Sequence, residues 1–158
     1  MTGKTHIMGG IAASATVAYF TNYDPLAMMV SGAVGGLLPD ICHGGSKMGR
    51  RFPVTSRIVN TLFGHRTFTH SLLFLAIIGF ILNQFMPVEA ITVGVLTGMT
   101  SHILLDSFTR NGVRLFYPFP LTFRFPVTIR TGSLVENIVV TGFTIVVIYF
   151  TITFIWVY

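Results

Sequence analysis

Five histidines, His6, His43, His65, His70 and His102, stand with Asp40, Asp106 and Glu136 in a chain of which only 9% is charged. Imidazole nitrogens and carboxylate oxygens are the ordinary ligand atoms of divalent metals, and in or near hydrocarbon they are costly unless paired, metal-bound or wet. His102 and Asp106 are four apart, so on a helix both face one way and can share an ion or hydrogen-bond each other. A histidine simply held by a carboxylate near a helix end is the competing reading of that pair. In His65-Arg66-Thr67-Phe68-Thr69-His70, two imidazoles, a guanidinium and two hydroxyls precede an apolar run. Thr69 suits an N-cap, with His70 in the first helical turn, where the dipole disfavours imidazolium and leaves the neutral form that binds metal.

Asp40 follows Leu37-Leu38-Pro39, where a helix ends and delivers a carboxylate, or where the carboxylate merely caps a turn. His43, before Gly44 and Gly45, reads as a ligand, a support for one, or solvated surface. Cys42, the single cysteine, permits no intrachain disulfide and offers a thiolate. Ser133-Leu134-Val135-Glu136 is a capping box, which does not exclude ligation by Glu136. Ser71, Ser107 and Thr109 lack the G-x-S-x-G turn of a hydroxyl nucleophile, so metal-activated water is the simpler attacking group. The ligand set expected is therefore His6, Asp40, His65, His70, His102 and Asp106, with His43, Cys42 and Glu136 as further candidates. Asp40 or Glu136 is the expected proton acceptor, and Arg66, Arg110 or Arg130 the phosphate clamp.

The elements that must position these groups are apolar. At 158 residues, 52% hydrophobic, the chain reads as one domain over residues 1–158 with the bilayer as its solvent. Mean hydropathy is +0.74. Four or five segments approach the roughly 20 residues that cross hydrocarbon. They run from Thr5 to Phe20, Leu26 to Leu38, Ser71 to Met86, Val88 to Leu105 and Asn137 to Val157. Gly9 with Ala13, Gly32 with Gly36 and Gly94 with Gly98 are four apart and let backbones approach closely. Asn22-Tyr23-Asp24-Pro25 and Met86-Pro87 read as tight turns, and Val54 to Phe63 as a short amphipathic piece in the interface. Ser107 to Gly132, broken by Pro118, Pro120 and Pro126, is expected to form a lid or wall.

Net charge is +5. Lys4, then Lys47, Arg50, Arg51, Arg57 and Arg66, then Arg110, Arg114, Arg124 and Arg130 occupy the N-terminus and the two long loops, while the short connections carry no Lys or Arg. That is the positive-inside pattern. It predicts an all-α polytopic membrane protein of about five spans, N-terminus and long loops cytoplasmic, C-terminus outside, in a bacterial or archaeal inner membrane. It also turns the basic charge toward headgroups, so no nucleic-acid partner is expected. Lys4 before an apolar run resembles a signal peptide, but cleavage would remove His6, so the segment is read as retained. Hairpin parity then places the start of segment one, the end of two, the start of three, the end of four and the start of five on one face. Every histidine and three of the five carboxylates gather there.

Thr5-His6, Leu38-Pro39-Asp40-Ile41, His65-Arg66 with Thr69-His70-Ser71, Ser101-His102 with Asp106, Thr109 and Gly112, and Gly132-Ser133 with Glu136 occur in that order. The pattern resembles the LexA-regulated, membrane-bound metal-dependent hydrolases, the YdjM-like family, over nearly the whole chain. It is also distantly similar to zinc-dependent phospholipase C, which implies an all-helical site for two or three zinc ions. Where relatives commonly read P-D-x-D-H, this chain has Pro39-Asp40-Ile41-Cys42-His43, so a thiol replaces the second carboxylate. The resemblance implies a hydrolase with one to three divalent ions, zinc first, acting on a lipid or lipid-linked phosphoester at the cytoplasmic interface. The alternatives are a metal transporter, a structural protein with a metal staple, and a metalloprotease, for which H-E-x-x-H is absent. The apolar run from Leu72 to Ile81 offers a cation no polar path.

Overall fold

A computed structural model describes residues 1–63 and 67–157; His65 and Arg66 lie outside them. The described residues form helices α1 (Gly3–Tyr19), α2 (Pro25–Gly35), α3 (Lys47–Arg51), α4 (Pro53–Phe63), α5 (Leu72–Phe85), α6 (Glu89–Ser107) and α7 (Leu134–Val157), with 3-10 turns at Leu38–Cys42 and Phe68–His70. No strand forms among them, only isolated bridges pairing Thr109 with Ile129 and Val113 with Phe123. The described residues belong to the all-α class expected from the sequence.

The centre is a bundle of α1, α2 and α6 whose contact surfaces are nearly bare backbone. A Cβ added to Gly10 would stand 2.3 Å from the Gly32 carbonyl oxygen, one on Gly98 2.2 Å from the same atom, and one on Gly36 2.4 Å from the His6 carbonyl oxygen. In hydrocarbon no hydrophobic force drives helices together, so association relies on such close packing. α7 lies along α1, and α5 leans on α6.

Polarity is inverted relative to a water-soluble domain. His6, His70, His102, Asp106 and Glu136 are buried, while Leu73, Ile77, Phe80 and Phe85 of α5 and Ile138, Ile145, Ile148 and Ile155 of α7 are exposed. Such surface suits lipid. α7 and the stretch Pro25–Cys42 are long and apolar enough to cross a membrane; α5 is apolar but shorter. All five apolar segments are helical, but length and apolarity mark only these two as spans among the described residues, so five crossings are not established.

Helix ends follow local chemistry, with two departures from expectation. Asp24 caps α2 by accepting from the Ala27 amide at 2.6 Å, and Pro25 opens the helix. α2 stops at Gly35, so Asp40 is delivered by a 3-10 turn and not by the helix itself. Ser71, not Thr69, caps α5, its hydroxyl accepting from the Phe74 amide at 3.2 Å. His70 therefore precedes the helix in its own 3-10 turn, outside the reach of the dipole argument. Between α6 and α7 the proline-broken stretch makes a two-armed loop, closed by reciprocal Val113 and Phe123 backbone bonds and tied to α5 by the Leu72 amide on the Leu115 carbonyl.

Candidate metal centre

Four elements bring five side chains together. His6 comes from the first turns of α1, Asp40 from the turn after α2, His70 from the turn before α5, and His102 and Asp106 from the last turns of α6. Two triads form, His6 with Asp40 and His102, and His70 with His102 and Asp106, each with its ligand atoms within 4.8 Å of one another. His102 belongs to both. Its Nε2 lies 3.1 Å from His70 Nε2 and 3.8 Å from both Asp40 Oδ1 and Asp106 Oδ2. His6 Nε2 lies 3.2 Å from Asp106 Oδ1, and His70 Nε2 lies 3.5 Å from Asp106 Oδ2 and 3.9 Å from Asp40 Oδ1. A tetrahedral ion with bonds of about 2.0–2.1 Å separates its ligand atoms by about 3.3 Å, within the range seen here.

Hydrogen bonds behind the cluster turn the ring nitrogens inward. The Gly36 carbonyl, 2.7 Å from His102 Nδ1, accepts the proton of that nitrogen and leaves the Nε2 lone pair facing the cluster. His70 Nδ1 meets the Thr69 hydroxyl at 3.1 Å, which in turn donates to Cys42 Sγ at 3.2 Å. His70 Nε2 is thereby aimed at His102 Nε2. Two bare lone pairs at that distance repel unless a cation or a proton lies between them. In the metal-free protein the proton wins: burial opposes charge on His70, but hydrogen bonds with Asp106 and Cys42 outweigh it and hold the pKa up to about 8. His6 stacks on His102 with centroids 3.7 Å apart, its Nδ1 has no hydrogen-bond partner among the described residues, and its Nε2 faces Asp106 Oδ1. A buried imidazole whose Nε2 is turned toward two carboxylates is a donor set that a divalent ion would satisfy.

The other expected residues divide. Cys42 is buried against His70 and Thr69 but belongs to neither triad. His43 is exposed beside Gly45 and joins neither. Glu136 is buried away from the ligands: its carboxylate accepts from the Thr2 amide at 2.5 Å, the Gly132 amide at 2.6 Å and the Thr5 hydroxyl. Ser133 accepts from the Glu136 amide at 3.4 Å, the serine half of the expected capping box, but the Ser133 amide goes to the Arg130 carbonyl and the Glu136 carboxylate to Gly132 and the start of α1, so the reciprocal bond of the box does not form. Arg110 and Arg130 line a polar cavity of about 280 Å³ with Thr109, whose hydroxyl donates to the Asp106 carbonyl. Sequence reasoning missed two partners. The Gly36 carbonyl orients His102, and the Met1 amine lies 2.6 Å from Asp106 Oδ1. A glycine in a packing motif gives no sign that its carbonyl has a second task.

Fold and site together define an all-helical membrane protein with a buried His/Asp cluster fit for divalent metal. The chain belongs to the YdjM inner membrane protein family, whose pattern matches residues 1–158. It is 50% identical over 150 residues to the uncharacterized protein YvsG of Bacillus subtilis, covering 95% of this chain and 94% of that one. It is 39% identical over 110 residues to the inner membrane protein YdjM of Escherichia coli, 65% of this chain and 56% of that protein, and equally to YdjM of Shigella flexneri. No solved structure matches.

Proposed function

We propose that the protein is a metal-dependent hydrolase of a lipid or lipid-linked phosphoester, working at the cytoplasmic face of the inner membrane with five membrane-embedded helices, α1, α2, α5, α6 and α7. The observation that supports this most is the pair of buried His/Asp triads, His6 with Asp40 and His102 and His70 with His102 and Asp106, that share His102. His6, Asp40, His70, His102 and Asp106 would hold one or two ions, zinc first, because nitrogen and carboxylate ligands at these spacings suit it. Such an ion supplies Lewis acidity, making water a competent nucleophile near neutral pH and withdrawing charge from a phosphoryl oxygen.

The chain's own groups then divide the work. Asp40 is the ligand with access to the outside, 15% exposed where His70, His102 and Asp106 have none. It is the group placed to accept the proton of an attacking water. Gly36 and Thr69 hold the rings that must not turn. Arg110 and Arg130 line a polar cavity with Thr109, which is bonded to the Asp106 carbonyl, and paired guanidinium donors there can meet phosphate oxygens. Arg66 keeps the role its sequence position suggests. A second reading, a non-catalytic metal staple or carrier, draws on the complete burial of most ligands; against a carrier, the cluster sits at helix ends and α5 provides no polar path.

The decisive experiment purifies the protein in detergent, counts bound metal, and assays lipid phosphoesters with the wild type and His102→Ala. Metal-dependent turnover lost in the variant is expected. Turnover surviving His102→Ala or complete metal removal sinks the mechanism, and stoichiometric metal without turnover over a broad substrate panel establishes the staple. A reporter fused after Tyr158 is expected to read outside; a cytoplasmic reading overturns the five-span arrangement.

A further inference from the structure

The α3–α4 arm carries cationic and apolar surface that the bundle does not use. No Asp or Glu occurs between Asp40 and Glu89, while Arg50, Arg51 and Arg57 stand exposed on these two helices. Arg50 and Arg57, with Ser56 and Asn60, line a polar cavity of about 430 Å³. Neither guanidinium has an ion pair or a side-chain hydrogen bond among the described residues. Two guanidiniums with a hydroxyl and an amide, and no carboxylate in the lining, suit an anion of the phosphate type. This cavity shares no residue with the one lined by Arg110 and Arg130.

α4 also has an apolar face turned away from the chain. The helical period puts Val54, Ile58 and Leu62 on one stripe, exposed at 71%, 52% and 68%, and Ser56, buried at 2%, almost opposite. Arg57 falls between Val54 and Asn60 around the helix, so it joins the stripe to the cavity. α3 and α4 both pack on the 3-10 turn Leu38–Cys42. That turn ends the stretch Pro25–Cys42, which is long and apolar enough to cross a membrane. The arm is thus attached where such a segment leaves hydrocarbon, at the level of the headgroups. An apolar stripe at that level, flanked by cations and free of acids, is the pattern of a helix lying in an anionic interface, where arginine methylenes follow the apolar surface and the guanidinium reaches phosphate.

We propose that the α3–α4 arm docks on an anionic phospholipid leaflet, with Val54, Ile58 and Leu62 at the acyl boundary and one headgroup phosphate held between Arg50 and Arg57. The contact is non-covalent and needs neither metal nor hydrolysis, so it stands apart from the catalytic reading. Docking fixes α4 in the headgroup plane, and with it the turn that bears Asp40.

The test places a fluorescent reporter in the stripe of the full chain, Ile58→Trp with Trp156→Phe, both at exposed positions. The protein is reconstituted in mixed phosphatidylcholine and phosphatidylglycerol, one lipid or the other brominated on its acyl chains, and quenching yields the relative affinity for the two. Quenching is expected, with a preference for phosphatidylglycerol of about fivefold or more, the attraction of a single arginine near an anionic surface. The preference should fall to about one when Arg50→Gln and Arg57→Gln are combined. Trp156 of the unaltered chain, its one tryptophan, near the end of α7, should show no preference. A reporter quenched by neither lipid means that the stripe stands clear of the bilayer. Quenching without preference, or a preference that survives the double variant, means that the arginines hold no headgroup. Each of these results overturns the proposal, as does loss of the preference to inorganic phosphate at matched ionic strength, which would make the cavity a free-anion site.

Discussion

Gly36→Ala tests whether backbone packing positions the metal centre. The added Cβ would lie 2.4 Å from the His6 carbonyl oxygen and 3.1 Å from its carbonyl carbon. Both are backbone atoms and cannot swing aside. Restoring ordinary contact at 3.4 Å moves α1 off α2 by about 1 Å. That shift is several times the roughly 0.2 Å spread of metal–ligand bond lengths, so the His6 imidazole would be drawn away from Asp40 and His102. The same substitution disturbs the carbonyl that fixes His102 Nδ1, a kind of support whose loss typically weakens metal binding 10- to 100-fold. Overpacking of this kind costs about 1–3 kcal/mol. Competition against a fluorescent chelator in detergent should show that affinity loss together with a lowered thermal midpoint. Gly142→Ala is the matched control, since nothing lies within 4 Å of its added Cβ and alanine favours the helix. Wild-type metal affinity in Gly36→Ala, or equal damage in both variants, would refute the link between packing and site.

Metal affinity should fall about tenfold per pH unit below about 8 and level off above it, because His70 is protonated below that value in the metal-free protein and must lose its proton to bind; isothermal titration across pH 6–9 checks this, and a flat profile contradicts it. Removal of metal reverses the trend in stability: a group whose folded pKa is raised favours the fold below its ordinary 6.5 and loses that benefit as the pH rises through about 8. Cys42→Ala should leave the number of bound ions unchanged by elemental analysis, since the thiol touches His70 without joining a triad; loss of one ion per chain would make the thiolate a ligand. Glu136→Ala should retain metal but lower the thermal midpoint, each amide left unpaired costing about 1–3 kcal/mol. Metal loss at unchanged stability would instead place Glu136 in the centre.

Hairpin parity was readable from the sequence because it depends only on counting apolar segments and turns. His6, Asp40, His70, His102 and Asp106 do meet at one end of the bundle. The amphipathic piece read from Val54 corresponds to α4 to within one residue, its apolar period being visible in Val54, Ile58 and Leu62. What escaped was set by tertiary contact. Glu136 finds Thr2 and Thr5 more than 130 residues away, and no local pattern distinguishes that partnership from metal binding. Thr69 looked like the cap of α5, yet Ser71 is equally suited and two residues nearer the apolar run. The swap matters to the chemistry, because it takes His70 off the helix and places it against Asp106, where its pKa rises instead of falling.

The same glycines that draw the helices together also determine why the site can lie where it does. A membrane bundle cannot support a polar cluster midway along its helices without satisfying every group internally. At the helix ends the burden is smaller, but the ligands there come from segments that fray unless held. α1, α2 and α6 are held to within a few residues of the cluster by backbone contact at Gly36 and Gly98. α5 lacks that restraint and buries none of its residues, although it begins next to His70. α1, α2 and α6 are therefore locked by backbone contact close to the ligands, whereas α5 packs on α6 through side chains, Gly79 against Leu96, with its first amide tied to the Leu115 carbonyl.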